Sequence, residues 1–291
     1  MRVAFIGVGA MGEPMAANLL QKGFELSILH HRRAEPAARL AQLGARVCAS
    51  VAETVAGCEI VVLSLPTSAE VEAIVAGAGG VLAAASAGTL VLDCTTSDPA
   101  STRRLGEQLS GRDIALVDAG MTRGVAGAKQ GKLAFFLGGE PRHIERAMPV
   151  LKGLGDTFVH VGPLSHGHTA KLISNVLSYA TVALVNEAFM LGARSGLDLA
   201  RLSEALNQGA PSKALESFGP RIAAGEYEPA RVTVAHVCDD MMMLQQLAAS
   251  TVSSVPILGA AQELYRLLQL QGSSARDLSV VAELWRSAGK R

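Results

Sequence analysis

At 291 residues the chain is long for one hydrophobic core, so two domains are expected. Hydrophobic residues make up 49% and charged residues 18%, a balance that suits large cores and excludes a disordered polymer. Lysine plus arginine equals aspartate plus glutamate at 26 each, which excludes a nucleic-acid or anionic-membrane surface built on bulk charge; any anion recognition is local.

From residue 2 to about 162, short β-branched runs alternate with helical patterns. Strands are expected at 3–6, 26–29, 60–64, 90–93, 114–118, 133–137 and 157–161, with helices around 11–22, 36–43, 69–75, 99–109 and 142–151. This alternation implies a mostly parallel sheet with helices on both faces. After Gly162-Pro163 the strand signal stops, and the remainder reads as helix broken at Gly196, Gly209-Ala210-Pro211, Gly219-Pro220 and Gly272. The expected fold class is therefore α/β: a Rossmann-type dinucleotide-binding domain over 1–162, then an all-α domain over 163–291 for substrate binding and oligomerisation. The run 168–194 is apolar nearly all round but carries Asn186 and Glu187. It reads as a helix gripped between domains or subunits and not as a membrane span, so a homodimer or homotetramer is expected.

Cys48, Cys58, Cys94 and Cys238 show neither CxxC spacing nor paired histidines, so neither a disulfide framework nor a metal site is expected. The N-terminal strand carries one arginine and no cleavage pattern, which gives a cytoplasmic location as the expectation.

Gly7-Val8-Gly9-Ala10-Met11-Gly12 stands between the first strand and the first helical pattern. At this spacing the first glycine turns the chain sharply out of the strand, and the second lets backbone N–H groups approach a pyrophosphate. The third lets helix and strand pack closely. The helix N-terminus adds partial positive charge where the phosphates settle. Past the second strand, NAD sites place an acid for the ribose hydroxyls, whereas a 2′-phosphate needs cations. Here His30-His31-Arg32-Arg33 precedes the first acid, Glu35, so NADP is expected in preference to NAD. Leu65, Pro66 and Thr96 follow strands at the carboxyl ends where open α/β sheets bind ligands.

The longer run from Gly7 through Glu13-Pro14-Met15 to Asn18-Leu19 resembles the opening signature of the β-hydroxyacid dehydrogenases, the family of 3-hydroxyisobutyrate dehydrogenase and tartronate semialdehyde reductase. Four later stretches fall in the family's order: Leu65-Pro66, Asp93-Cys94-Thr95-Thr96, the loop 118–131, and Gly167-His168-Thr169-Ala170-Lys171-Leu172-Ile173-Ser174-Asn175. The resemblance implies that Leu65, Pro66 and Thr96 line the nicotinamide side.

Reducing a carbonyl by hydride requires a proton donor at the oxygen, and a partly desolvated lysine can serve. Lys171, flanked by Ala170, Leu172 and Ile173, is the candidate, with Asn175 one turn on along the same helix face. The resemblance aligns them with the family's catalytic lysine and substrate asparagine, while Ser174 replaces the usual first asparagine. Residues 118–124 correspond to the family's Asp-Ala-Pro-Val-Ser-Gly-Gly substrate loop. Thr122 keeps a hydroxyl and Gly124 a bare backbone for the substrate's acid group. Arg123 stands where the family has glycine and offers a planar fork for a carboxylate, sulfonate or phosphate; the alternative is an arginine turned to solvent or to a neighbouring carboxylate. Asp239-Asp240 falls where the family has Lys-Asp near nicotinamide and substrate, so Asp240 joins the expected cofactor contacts. His236 and Met241 to Met243 read as packing residues.

The expected activity is NAD(P)-dependent interconversion of a small β-hydroxy acid and its semialdehyde, with the proton handled by Lys171 and a small acidic aldehyde or hydroxy acid as substrate. Three alternatives stand beside it. A sulfonated aldehyde is suggested by Arg123, which also resembles the sulfolactaldehyde reductase branch. Imine reduction shares the architecture but usually lacks the lysine. A catalytically silent dinucleotide-binding scaffold is the third.

Overall fold

The computed structural model describes residues 1–30 and 34–286. Eight strands form one sheet: β1 (Arg2–Ile6), β2 (Glu25–Leu29), β3 (Arg46–Cys48), β4 (Ile60–Leu63), β5 (Leu90–Asp93), β6 (Ala115–Thr122), β7 (Leu133–Gly138) and β8 (Gly155–Gly162). Their order is β3-β2-β1-β4-β5-β6-β7-β8. From β3 to β6 every pair is parallel; β7 runs antiparallel to β6 and parallel to β8. The first unit's helices are α1 (Gly12–Gln21), α2 (Ala34–Gln42), α3 (Val51–Val55), α4 (Ser68–Ala76), α5 (Val81–Ala84), α6 (Pro99–Ser110), α7 (Gly124–Gln130) and α8 (Pro141–Leu154).

The central strands β1, β4 and β5 are buried on both faces, as parallel sheets require, while the edge strands β3 and β8 are partly exposed. In β1, Val3 and Phe5 enter one core with Met15 and Leu19, while Ala4 and Ile6 enter the other with Val71 and Leu105. Alternate side chains along one strand thus serve two helical layers.

The long helix α9 (His166–Arg194) follows, then α10 (Leu199–Gly209), α11 (Lys213–Ala224), α12 (Val234–Ser250), α13 (Pro256–Leu270) and α14 (Glu283–Arg286), with a 3₁₀ turn at Leu278–Ala282. The chain divides into two compact units, Met1–Lys171 and Leu172–Arg291, the division falling inside α9. By length and composition alone α9 could cross a membrane, but Leu172, Val176, Val182 and Phe189 lie in the core of the second unit.

Three details differ from the sequence reading. The segment 118–131 is not a loop: β6 runs on to Thr122, paired with β7, and α7 follows at once. The short edge strand β3, half exposed, carries too few residues to show a period. Gly219-Pro220 does not break its helix. Proline forfeits one intrahelical bond, but Ser212 caps α11 at one end, Gly225 closes the other in a left-handed turn, and Gly219 leaves room for Ser203 of α10.

Candidate active site

The glycines at the dinucleotide end divide their work as the motif demands. Gly7 has φ of 102°, and a Cβ there would sit 2.1 Å from the Ser64 carbonyl oxygen at the end of β4. At Gly12 a Cβ would meet the Gly7 carbonyl oxygen at 1.8 Å, so α1 packs on β1 only without a side chain. Gly9 faces open space. Met11, the N-cap of α1, has no side-chain acceptor for the first-turn N–H groups, which suits an anion in that place. β1 and β4 are adjacent, with β2 and β5 beyond them on opposite sides, so this turn lies at the sheet's topological switch point. The residues present therefore fit a dinucleotide pyrophosphate.

Around that turn, Ala10 is exposed, Met11 and Leu65 are half-buried, and Pro66 is exposed. The Leu65 N–H donates to Thr95 Oγ1 at 3.1 Å, a brace between the ends of β4 and β5 beside half-buried Thr96. His30 is exposed at the end of β2, its N–H bonded to the Cys48 carbonyl. His31, Arg32 and Arg33 lie outside the described residues.

Two neighbouring buried aspartates, Asp93 on β5 and Asp118 on β6, hold the start of α9. Asp118 accepts from the Ser165 N–H on Oδ1 and from the His168 N–H on Oδ2, both at 2.7 Å, placing a carboxylate on the helix N-terminus. Room for it comes from two glycines: a Cβ on Gly138 would lie 2.4 Å from Asp118 Oδ1, and one on Gly167 would lie 2.8 Å from Oδ2. The buried His168 ring lies 3.2 Å from the Asp93 carbonyl through Nε2 and 2.8 Å from Thr102 Oγ1 through Nδ1. Burial pushes the Asp93 carboxyl up, opposed by the nearby His168 and by bonds from Thr95 and Ser97.

Lys171 sits one turn into the helix so anchored. A Cβ on Gly120 would lie 2.5 Å from the Lys171 Cβ, so the stem of the lysine rests directly on β6, two residues before Thr122. Thr122 is half-buried and Gly124, at φ of 58°, is exposed.

Arg123 is placed differently from the fork expected of it. Its φ is 79°, a left-handed conformation that side-chain-bearing residues rarely adopt. Its guanidinium donates to Asp156 Oδ1 at 2.6 Å, to the Lys132 carbonyl at 2.8 Å and to Thr157 Oγ1 at 2.9 Å. Bonds from Thr157 and then Arg123 hold the Asp156 carboxyl low. This is the alternative reading, an arginine turned to a neighbouring carboxylate.

In the second unit, Asp240 is buried and gathers Asn175, Tyr179 and His236 around one carboxylate oxygen. Asp240, expected among the cofactor contacts, instead holds Asn175 through its side chain. His236, expected as packing, is instead half exposed beside Asp240. Of the three methionines, Met241 is buried and Met242 exposed. All four cysteines are free thiols, and no cluster fit for a metal occurs among the described residues. A cavity of about 720 Å³, lined in part by Ile114, Leu116, Arg142, His143 and His160, opens at the amino-terminal end of β6, away from the glycine turn.

A glycine turn at the switch point of a doubly wound sheet, with a lysine-bearing helix seated on the sheet's carboxyl end, defines a dinucleotide-binding α/β protein with a candidate proton-transfer residue. The comparisons narrow this class. A family model described as the NAD binding domain of 6-phosphogluconate dehydrogenase matches residues 2–162, and one described as NAD-binding of NADP-dependent 3-hydroxyisobutyrate dehydrogenase matches 165–285. The chain is 34% identical over 291 residues to an NAD-dependent L-serine dehydrogenase of Pseudomonas aeruginosa, covering 98% of this chain and 97% of that protein. It is 32% identical over 272 residues to a 3-hydroxyisobutyrate dehydrogenase of the same organism, with 91% of each covered. The structure of Mycobacterium tuberculosis 3-hydroxyisobutyrate dehydrogenase with L-serine matches with a TM-score of 0.89 at 27% identity, over 98% of this chain and 99% of that one. The chain belongs to the β-hydroxyacid dehydrogenase family and is an NAD(P)-dependent oxidoreductase.

Proposed function

We propose that this enzyme interconverts a small β-hydroxy acid and its semialdehyde, with Lys171 as the proton-transfer residue. The observation that carries this is the seat of Lys171: a helix N-terminus capped by buried Asp118 holds the lysine stem against β6 beside Thr122. The bound nicotinamide supplies or accepts the hydride. Lys171 takes the proton of the substrate hydroxyl during oxidation and returns it to the carbonyl oxygen during reduction. The Thr122 hydroxyl and the backbone at Gly124 hold the acid group, and Asn175, one turn beyond Lys171 on α9, adds an amide. Arg123 is left out of this set because its guanidinium is committed to Asp156, Lys132 and Thr157. A carboxylate substrate is thereby favoured over a sulfonate.

NADP is proposed over NAD on the basic run His30 to Arg33 and the lack of an acid before Glu35. The P. aeruginosa relative is NAD-dependent by name, so both dinucleotides belong in the test. L-serine and 3-hydroxyisobutyrate, named with the relatives, share a hydroxyl on the carbon β to a carboxylate. The test is dinucleotide reduction at 340 nm with each acid and each dinucleotide. Turnover with at least one of these acids and tighter NADP than NAD support the reading; absence of turnover with every small β-hydroxy acid sinks it.

A homodimer or homotetramer is proposed on α9, where Leu177, Leu184 and Leu191 recur every seven residues, each 64–65% exposed in the single chain. A monomer by light scattering would contradict this. A reducing cytoplasm suits the four unpaired thiols.

A further inference from the structure

Within the second unit α9 and α12 are joined by one carboxylate. Asp240, 1% exposed, accepts on Oδ2 from Asn175 Nδ2 at 2.7 Å and from the Tyr179 hydroxyl at 2.9 Å, and His236 Nε2 lies 3.6 Å from the same oxygen. Asn175 and Tyr179 are four residues apart on α9, and His236 and Asp240 are four apart on α12, so each pair shares a helix face. Tyr179 is itself buried, and its backbone carbonyl accepts from the buried Tyr265 hydroxyl at 2.9 Å. Burial first, then the Asp240 charge, pushes the Tyr179 hydroxyl far above its usual range. It stays protonated and donates to the carboxylate.

An ionised carboxylate only accepts, so it dictates which end of an amide faces it. With Nδ2 turned to Asp240, the Asn175 carbonyl oxygen points the other way. A carboxylate swung away from Asn175 would release this hold and let the amide flip, exchanging donor for acceptor where the substrate is held.

We propose that Tyr179 is a positioning residue: by holding Asp240 Oδ2 it locks the carboxylate that orients the Asn175 amide toward the substrate. This deepens the reading given above and rests on its substrate role for Asn175. Tyr179 touches neither reacting atoms nor dinucleotide in this scheme; it acts through two other side chains.

The test is a double-mutant cycle with Tyr179→Phe, Asn175→Ala and the pair. It is read as KM and kcat for the hydroxy acid turned over by wild type, dinucleotide Kd and thermal midpoint. Losing one hydrogen bond to a charged group is expected to raise KM about tenfold in Tyr179→Phe, with dinucleotide Kd within about twofold of wild type. In the Asn175→Ala background the same change is expected to move KM less than about twofold, because the group it positions is gone. Equal factors in both backgrounds overturn the inference. So does a lowered melting point with unchanged KM, which is the signature of packing alone. An Asn175→Ala variant with wild-type kinetics removes the substrate role of Asn175 and this inference with it. Additive effects beside a defective Asn175→Ala enzyme remove only the role of Tyr179.

Discussion

α9 carries, one turn apart, the two residues proposed for proton transfer and substrate binding, and each lies near a buried aspartate that works in a different way. Asp118 binds the helix through backbone N–H groups at Ser165 and His168. Asp240 binds it through the side chains of Asn175 and Tyr179. A backbone anchor is indifferent to the side chains it holds and fixes the whole helix end. A side-chain anchor exists only while its particular partners are present, so it tunes one amide and leaves the helix in place. The first arrangement positions Lys171 as part of the fold, and the second makes the setting of Asn175 a local property.

The largest effect expected from breaking this comparison is at Asp118. Asp118→Ala strands two N–H groups in a buried site, and loses charge-assisted bonds that together stabilise by about 3 kcal/mol or more. Chemical denaturation should show that loss, along with a fall in kcat; full stability would mean that the cap does not anchor α9.

Gly12→Ala probes the dinucleotide turn, away from both anchors. A Cβ within 1.8 Å of the Gly7 carbonyl oxygen forces α1 off β1. Overpacking of this kind costs about 1–3 kcal/mol, so dinucleotide affinity by fluorescence titration should fall about tenfold or more. Unchanged affinity would move the cofactor away from this turn.

The smallest effect belongs to Arg123→Gly. It relieves a left-handed φ at a side-chain-bearing residue while removing an exposed ion pair with Asp156, two changes of opposite sign. The melting temperature should stay within about 3 °C and the hydroxy-acid KM near wild type. A large rise in KM would return Arg123 to the substrate site and reopen the sulfonate alternative.

Much of the dinucleotide end was legible in the sequence because its constraints are local: three glycines within six residues, a strand before and a helix after. Lys171 stood out as a charged residue in an apolar run, but its seat against Gly120 on β6 did not. Arg123 was misleading because its partner Asp156 is 33 residues away and its direction follows from a backbone turn that composition does not reveal. Tyr179 drew no reading of its own within the apolar run, since its partner Asp240 lies 61 residues on. β7 defines how far β6 runs, so 118–131 looked like a loop until that antiparallel pairing was seen.

The central claim is that Lys171, seated on β6 by the Asp118 cap, moves the proton. The direct measurement is kcat of Lys171→Ala with the hydroxy acid turned over by wild type, beside dinucleotide Kd and thermal midpoint for the same preparation. The account predicts a kcat lowered about 100-fold or more with dinucleotide binding and folding retained. A kcat within about threefold of wild type would contradict it and remove the lysine from the chemistry.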